Sequence, residues 1–184
     1  MPDPIAQEDA RLEKSARKPG REELIGWAMV PTPLGTMLLA ATEKGVCRLS
    51  FDEDADDLAR HFPDALIQPG GADVERLAGL VALAVEQPGI APAIPLDLRG
   101  TPFQLSVWDQ LCRIPAGETR SYTEIAAAIG RPRAVRAVGS ANAANPVALI
   151  VPCHRVVRAD GSTGGYAYGE PIKQALLHGE GAFA

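Results

Sequence analysis

Two helix-starting signals of one kind, Thr101-Pro102-Phe103-Gln104 and Ser121-Tyr122-Thr123-Glu124, constrain the second half of this chain more than any other feature. In each, a hydroxyl residue stands where it can accept from the backbone amide three residues on. Gln104 or Glu124 stands where it can reach back to the first amide. Pro102 sits at the first helical position, where its missing N–H costs nothing. Behind the first signal Phe103, Val107, Trp108 and Leu111 recur on one helical face, and Pro115 ends that helix. The second signal opens a helix running through Ile125 to Ile129. Gly130 and Pro132 then make a tight turn, and Pro132 opens another helix to about Ala143. Two short helices across a glycine-containing turn form a helix-turn-helix pattern. Ordinary αα-hairpins share the pattern and are commoner, so it does not by itself assign DNA reading.

The first half reads differently. Residues 1–20 mix charge with Pro and Ala without a strong period, which predicts a mobile tail. Leu24–Val30, Thr36–Ala41 and Val46–Phe51 read as strands joined by short turns at Pro31–Gly35 and Glu43–Gly45, hence as antiparallel neighbours. Asp52–Phe62 and Ala72–Glu86 read as helices, the second with Leu77, Leu80, Val81 and Ala84 on one face. Pro88–Arg99 is Pro-rich and reads as an extended linker, and a last helix spans Glu170–Gly179 and ends near Glu180.

Charge is uneven along the chain. The net of −5 speaks against simple nucleic-acid binding, but residues 1–110 sum to −8 and residues 111–184 to +3. Within 112–160, seven arginines (113, 120, 131, 133, 136, 155, 158) face Glu118, Glu124 and Asp160. Such a patch is a nucleic-acid footprint or a solvated face, and charge alone does not choose. The three cysteines, Cys47, Cys112 and Cys153, are far apart and odd in number, which argues against a disulfide framework and a cysteine-based zinc site. Cys47 and Cys112 read as core residues. No apolar run is long enough to span a membrane, and the acidic N-terminus is not that of a signal peptide, so the reading is cytoplasmic.

Chemistry concentrates in Ile150-Val151-Pro152-Cys153-His154-Arg155-Val156-Val157. Apolar β-branched flanks predict burial, and Pro152 presents Cys153 from a stiff turn. A thiol attacks only as thiolate, with a base nearby to take its proton. A lone Cys-His pair is most often structural; the neighbourhood is what tilts this one towards catalysis.

Taken in order, RGTPFQLSVWDQLCRIPAGETRSYTEIA, RPRAVRAVGSANAANPVALIVPCHRVVRADG, GGYAYG and KQALLHGE resemble the O6-alkylguanine-DNA alkyltransferases, also called methylated-DNA–protein-cysteine methyltransferases. The resemblance covers residues 99–180. It implies that the tail over 1–20 is followed by an RNase-H-like α/β domain over 21–98, with a small antiparallel sheet, helices and the linker. This would pack on an all-α, winged-helix-like domain with the helix-turn-helix over 99–184.

Carried over by position, the resemblance makes Cys153 the alkyl acceptor, His154 its relay through a water, and Glu180 the carboxylate that orients His154. Asn145 would brace the turn, and Tyr122 would assist the departing guanine. Arg136 would be the finger that replaces the flipped base, on a DNA-facing segment with Arg131, Arg133, Ala134 and Val135. Val156, Tyr166, Ala167 and Tyr168 would line the substrate pocket. The implied partner is double-stranded DNA carrying O6-alkylguanine, or O4-alkylthymine, approached from the minor groove. No cofactor, metal or membrane is implied, and the protein is expected to act once, as a monomer.

Ala167-Tyr168 stands where many relatives carry Arg-Trp, which points to altered contacts there. No cysteine-rich zinc module precedes the β half, so the bifunctional, transcription-activating form is not expected. Three rivals remain: a lesion-binding alkyltransferase-like protein, against which Cys153 itself argues; a cysteine hydrolase, which would use a His distant in sequence; and a plain helix-turn-helix regulator with an idle thiol.

Overall fold

The computed structural model describes residues 23–88 and 92–182. The tail expected over 1–20 lies outside the described residues. Three strands open the fold: β1 (Glu23–Thr32), β2 (Gly35–Thr42) and β3 (Gly45–Phe51), paired antiparallel in succession. Met37, Leu38, Leu39, Ala40 and Ala41 of β2 are all buried, as suits a central strand covered on both faces. At the β2–β3 turn Gly45 has φ 145°, and a β-carbon there would lie 2.4 Å from the backbone of Pro95, so no other residue fits.

The reading of an all-antiparallel sheet needs correction. A fourth strand, β4 (Ala65–Pro69), runs parallel to β1, giving a mixed sheet of order β3-β2-β1-β4. It is short, half-exposed and flanked by Pro63 and Gly70, so pairing with β1 defines it and its own pattern does not. The helix expected from Asp52 starts later, as α1 (Ala55–His61), because Asp54 caps it by accepting from the amides of Asp56 and Asp57. Helix α2 (Ala72–Glu86) matches its expected span. Its buried stripe is Val74, Leu77, Val81 and Val85, while Leu80 and Ala84 sit to one side, only half-buried.

Residues 92–99 do not hang free between two halves. Val46 donates to Pro95 O at 2.8 Å and Asp97 donates to Val46 O at 2.9 Å, so this stretch runs along the outer edge of β3. Farther along that edge Leu49 donates to Pro146 O at 2.9 Å and accepts from Ala148 at 2.8 Å. The edge of β3 is thus closed by the chain leading out of the sheet and by the chain leading into Cys153.

Helix α3 (Pro102–Cys112) forms with both halves of its capping box made. It buries Val107, Trp108 and Leu111, and the Trp108 indole donates to Ala141 O at 2.8 Å. Truncating Trp108 to alanine would cost about 3–5 kcal/mol. Cys112, expected in the core, is exposed: it follows the buried Leu111 and turns off the apolar face. Helix α4 (Tyr122–Ala128) also has its capping box. It ends in a Schellman motif, with Gly130 at φ 69° donating to Ala127 O and Arg131 donating to Ala126 O. The next helix, α5 (Val135–Ala143), begins three residues after Pro132. Pro132 and Arg133 instead form a turn closed by Ala134 donating to Arg131 O at 2.8 Å.

The C-terminal half is not purely helical. Arg120–Ser121 (β5) pairs in parallel with Val156–Val157 (β6), tying the start of α4 to the chain just beyond Cys153. Helix α6 (Glu170–Gly179) ends at Glu180, as expected. Among the described residues no helix is long and apolar enough to cross a membrane.

Candidate active site

The turn that carries Cys153 is built from its backbone outward. Asn145 Oδ1 accepts from the Val147 amide at 3.0 Å and its Nδ2 donates to Val151 O at 2.7 Å, so one buried amide clasps both ends of a tight loop. Inside that loop Leu149 takes φ 74°, a left-handed conformation that a leucine adopts only where its surroundings force it. The chain then enters a 3-10 turn, Cys153–Arg155, in which Arg155 donates to Pro152 O. Asn142 of α5 reaches the Cys153 carbonyl at 3.4 Å.

Cys153 is 5% exposed and His154 fully buried. Burial raises the thiol pKa. The Asn145 amide, the Lys173 charge and the Tyr166 hydroxyl oppose that rise. Burial likewise depresses the His154 imidazole, against the pull of Glu180. Burial would raise Glu180, but hydrogen bonds and charge from His154 and Arg155 outweigh it and bring the carboxyl down to about 2.

Glu180 Oε1 lies 3.0 Å from His154 Nε2. An ionised carboxylate only accepts, so Nε2 carries the hydrogen and the lone pair of the neutral ring resides on Nδ1. That Nδ1 is buried with no hydrogen-bond partner among the described residues. Cys153 and His154 adjoin in the chain, and an anion holds the imidazole from behind through Nε2.

The glycine-rich loop brings Tyr166 and Tyr168 near enough to the thiol to feel its charge. The Tyr166 hydroxyl meets no partner in hydrogen-bond geometry, yet the ionisation of Tyr166 and of Cys153 each shifts the other. Tyr168 packs edge-on to Tyr166, with centroids 5.5 Å apart. Burial pushes the Tyr168 phenol up to about 12. Ala167 is exposed. Val156 is fully buried; its side chain joins the core and its carbonyl accepts from Lys173 at 2.6 Å. Tyr122, half-buried, is raised by burial and by the nearby thiol, while Arg158 opposes the rise.

The structure therefore gathers Cys153, His154, Glu180, Asn145 and Tyr166 at one buried locus, with Tyr122 at its margin. Arg131, Arg133 and Arg136 lie apart, exposed around the turn and first turn of α5, with Ala134 and Val135 half-buried beneath them. Of the seven arginines in 112–160, Arg113, Arg120 and Arg155 are paired with carboxylates. Arg131, Arg133 and Arg136 form no such ion pair among the described residues, and Arg158 acts on Asp160 through its charge alone, so the positive face is concentrated on the helix-turn-helix and beside Tyr122. An open concavity of about 470 Å³ is lined by Ser121, Thr123, Val157 and Arg158, and includes neither Tyr122 nor Cys153.

Sequence reasoning passes over Lys173 and Phe51, and reads Arg155 only as part of the positive patch, whereas it pairs with Glu180. Lys173 is buried, donates to Val156 O and Thr163 O, and is held down to about 8 by burial. Its signal was faint: Lys173, Leu176, Leu177 and Glu180 share one helical face at i, i+3, i+4 and i+7. Among the described residues no group of three or more His, Cys, Asp or Glu could hold a metal.

Residues 102–182 match the family described as 6-O-methylguanine DNA methyltransferase, DNA binding domain. The regulatory protein ada of Salmonella typhimurium is 41% identical over 172 residues, covering 91% of this chain and 48% of that protein. This chain thus spans about half the length of that relative. The methylated-DNA–protein-cysteine methyltransferase of Methanosarcina barkeri is 44% identical over 151 residues, which are 81% of this chain and 92% of that protein. The Mycobacterium tuberculosis OGT structure in complex with DNA superposes with a TM-score of 0.73 at 39% identity, covering 86% of this chain and 92% of that one. At 44% identity over 92% of the Methanosarcina barkeri protein, the chain belongs to the methylated-DNA–protein-cysteine methyltransferase family.

Proposed function

We propose that this protein repairs O6-alkylguanine, and O4-alkylthymine, in double-stranded DNA by moving the alkyl group once and irreversibly onto Cys153. The observation that carries the reading is the buried thiol beside an imidazole whose Nε2 is committed to Glu180 at 3.0 Å, with Nδ1 left to act as base.

In this reading the Cys153 proton passes to His154 through a water. The sulfur forms a bond to the alkyl carbon, the carbon–O6 bond breaks, and its electron pair stays on guanine. The ring takes a proton from Tyr122, which solvent restores. Guanine leaves only if its new charge is met by donors; Tyr122 and backbone amides near Tyr166–Tyr168 are the candidates. The thioether product is inert, so each molecule acts once, and a thiol on the same chain needs no second subunit. A resting thiol also suits the reducing cytoplasm.

Access requires the nucleotide to leave the stack, at a cost of a few kcal/mol. Arg136, unpaired in the first turn of α5, would enter from the minor groove and fill the gap. Arg131 and Arg133 would hold phosphates, as Ala134 and Val135 pack the same segment against the groove. Val156, Tyr166, Ala167 and Tyr168 would frame the base and its alkyl group. The order β3-β2-β1-β4, with only β4 parallel, supports an RNase-H-like domain over 21–98. Helices α3 to α5 with the β5–β6 pair support a winged-helix-like domain over 99–184.

Intact-mass spectrometry after mixing with methylated-guanine duplex tests the reading. A single step of about +14 Da, one methyl replacing one proton on the nucleophile, is expected. An unchanged mass with retained lesion binding would make this a binding module, and catalytic turnover without a mass change would make it a hydrolase.

A further inference from the structure

Glu180 does not serve His154 alone. The same Oε1 that meets His154 Nε2 at 3.0 Å also accepts from Arg155 Nη2 at 2.8 Å, and Oε2 accepts from Arg155 Nε at 3.0 Å. Arg155 Nη1 donates to Ile114 O at 2.5 Å. One planar guanidinium thus ties the catalytic turn, the end of α6 and the segment after α3. This is more than a surface salt bridge: the side chains of Arg155 and Glu180 are 16% and 7% exposed.

We propose that Arg155 is a positioning residue that shares the charge of Glu180 with His154, so that the resting relay is thiol and neutral imidazole rather than thiolate and imidazolium. The inference rests on the reading of Cys153 as acceptor. A protonated His154 would stand across one shared oxygen from a guanidinium, in a site with little water to screen them, and like charges so placed disfavour each other. His154 faces Glu180 and Lys173 from α6 and Arg155 from its own turn; burial opposes its protonation most, both cations add to that, and only Glu180 favours it. The thiol faces Asn145, Lys173, Tyr166, Tyr168 and Tyr122. Of these only Lys173 carries a charge at neutral pH, and it favours thiolate. A protonated thiol resists the oxidation that would waste a single-use nucleophile.

Removing the charge of Arg155 leaves the full charge of Glu180 to His154. The imidazolium is then favoured, proton transfer from Cys153 to His154 becomes easier, and thiolate appears at lower pH. A purely structural Arg155 predicts slower reaction at every pH with an unmoved onset. The test is the pH profile of Cys153 alkylation by iodoacetamide in the full chain, mapped by peptide to separate Cys153 from the exposed Cys112. Arg155→Met is expected to shift the onset down by about one pH unit, about tenfold in rate below the wild-type onset, and Arg155→Lys to stay near wild type. An onset unmoved or raised in a folded Arg155→Met overturns the proposal.

A second measurement needs no variant. The ¹⁵N shifts of His154 in the wild-type protein at pH 7 should be those of a neutral ring bearing hydrogen on Nε2, and imidazolium shifts would equally overturn the proposal. Because iodoacetamide replaces DNA, failure of methyl transfer by the wild type would count against the proposed function and leave this test intact.

Discussion

Phe51, the last residue of β3, meets the ring of Tyr168 edge-on, with centroids 5.2 Å apart and planes at 65°. Phe51 is 2% exposed and belongs to the main core, so the sheet of the N-terminal half directly backs the loop that carries Tyr166 and Tyr168. That contact gives the first half of the chain a part in the site that its own sequence does not announce.

Phe51→Ala is expected to cost about 3–5 kcal/mol of stability through the cavity it leaves. It should also raise the rate of O6-benzylguanine transfer relative to O6-methylguanine, because Tyr168 loses its backing and can tilt away. Paired rate measurements on the two free bases check this; an unchanged ratio in folded protein would mean that Tyr168 is held by other contacts.

Asn145→Ala should strand the Val147 amide and the Val151 carbonyl in a buried loop, each at about 1–3 kcal/mol. Urea denaturation is expected to show a lower midpoint with a similar slope. Transfer should slow as the turn around Leu149 relaxes. A midpoint equal to that of wild type would contradict the clasp.

Much of this fold was legible because its signals are local. Both capping boxes formed, since the hydroxyl and the Gln or Glu that make each one lie within four residues. The last helix ended at Glu180 as read, and Cys153 is buried as its β-branched flanks implied. What was missed depends on distant partners. Strand β4 exists by pairing with β1, Lys173 is buried because Val156 and Thr163 offer carbonyls, and Arg155 finds Glu180 twenty-five residues on. Pro132 reads as a helix start because proline tolerates a first turn, whereas in the fold it lies inside the turn that Ala134 closes before Val135.

Glu180→Gln should slow transfer by about 10²-fold or more, the scale of a general-base contribution. The same change should alter acid stability. With a folded pKa of about 2, below its unfolded value, Glu180 stabilises the fold above roughly pH 4.5. That contribution is lost as pH falls towards 2. Thermal melts from pH 5 to pH 2 should therefore fall less steeply in Glu180→Gln than in wild type. Parallel curves would mean that the carboxylate is not paired as seen here.

DNA binding should depend on Arg131, Arg133 and Arg136 despite the net charge of −5, because counterions screen the acidic half beyond about 10 Å. The salt slope should be near about 3 in magnitude, at roughly 0.9 per phosphate. Arg131→Ala with Arg133→Ala should flatten it and weaken lesion and normal duplex alike. Arg136→Ala should hurt transfer from duplex far more than transfer from the free base. Salt titrations and paired rates check both, and an unchanged slope would put the DNA on another face.

The most direct test is a titration with duplex carrying isotopically labelled O6-methylguanine, followed by peptide mapping. The expected result is label that saturates at one methyl per molecule, all of it on the peptide holding Cys153, and none on Cys153→Ala, which should still bind the lesion. Label on Cys47 or Cys112, or continued release of repaired DNA beyond one equivalent, would contradict it.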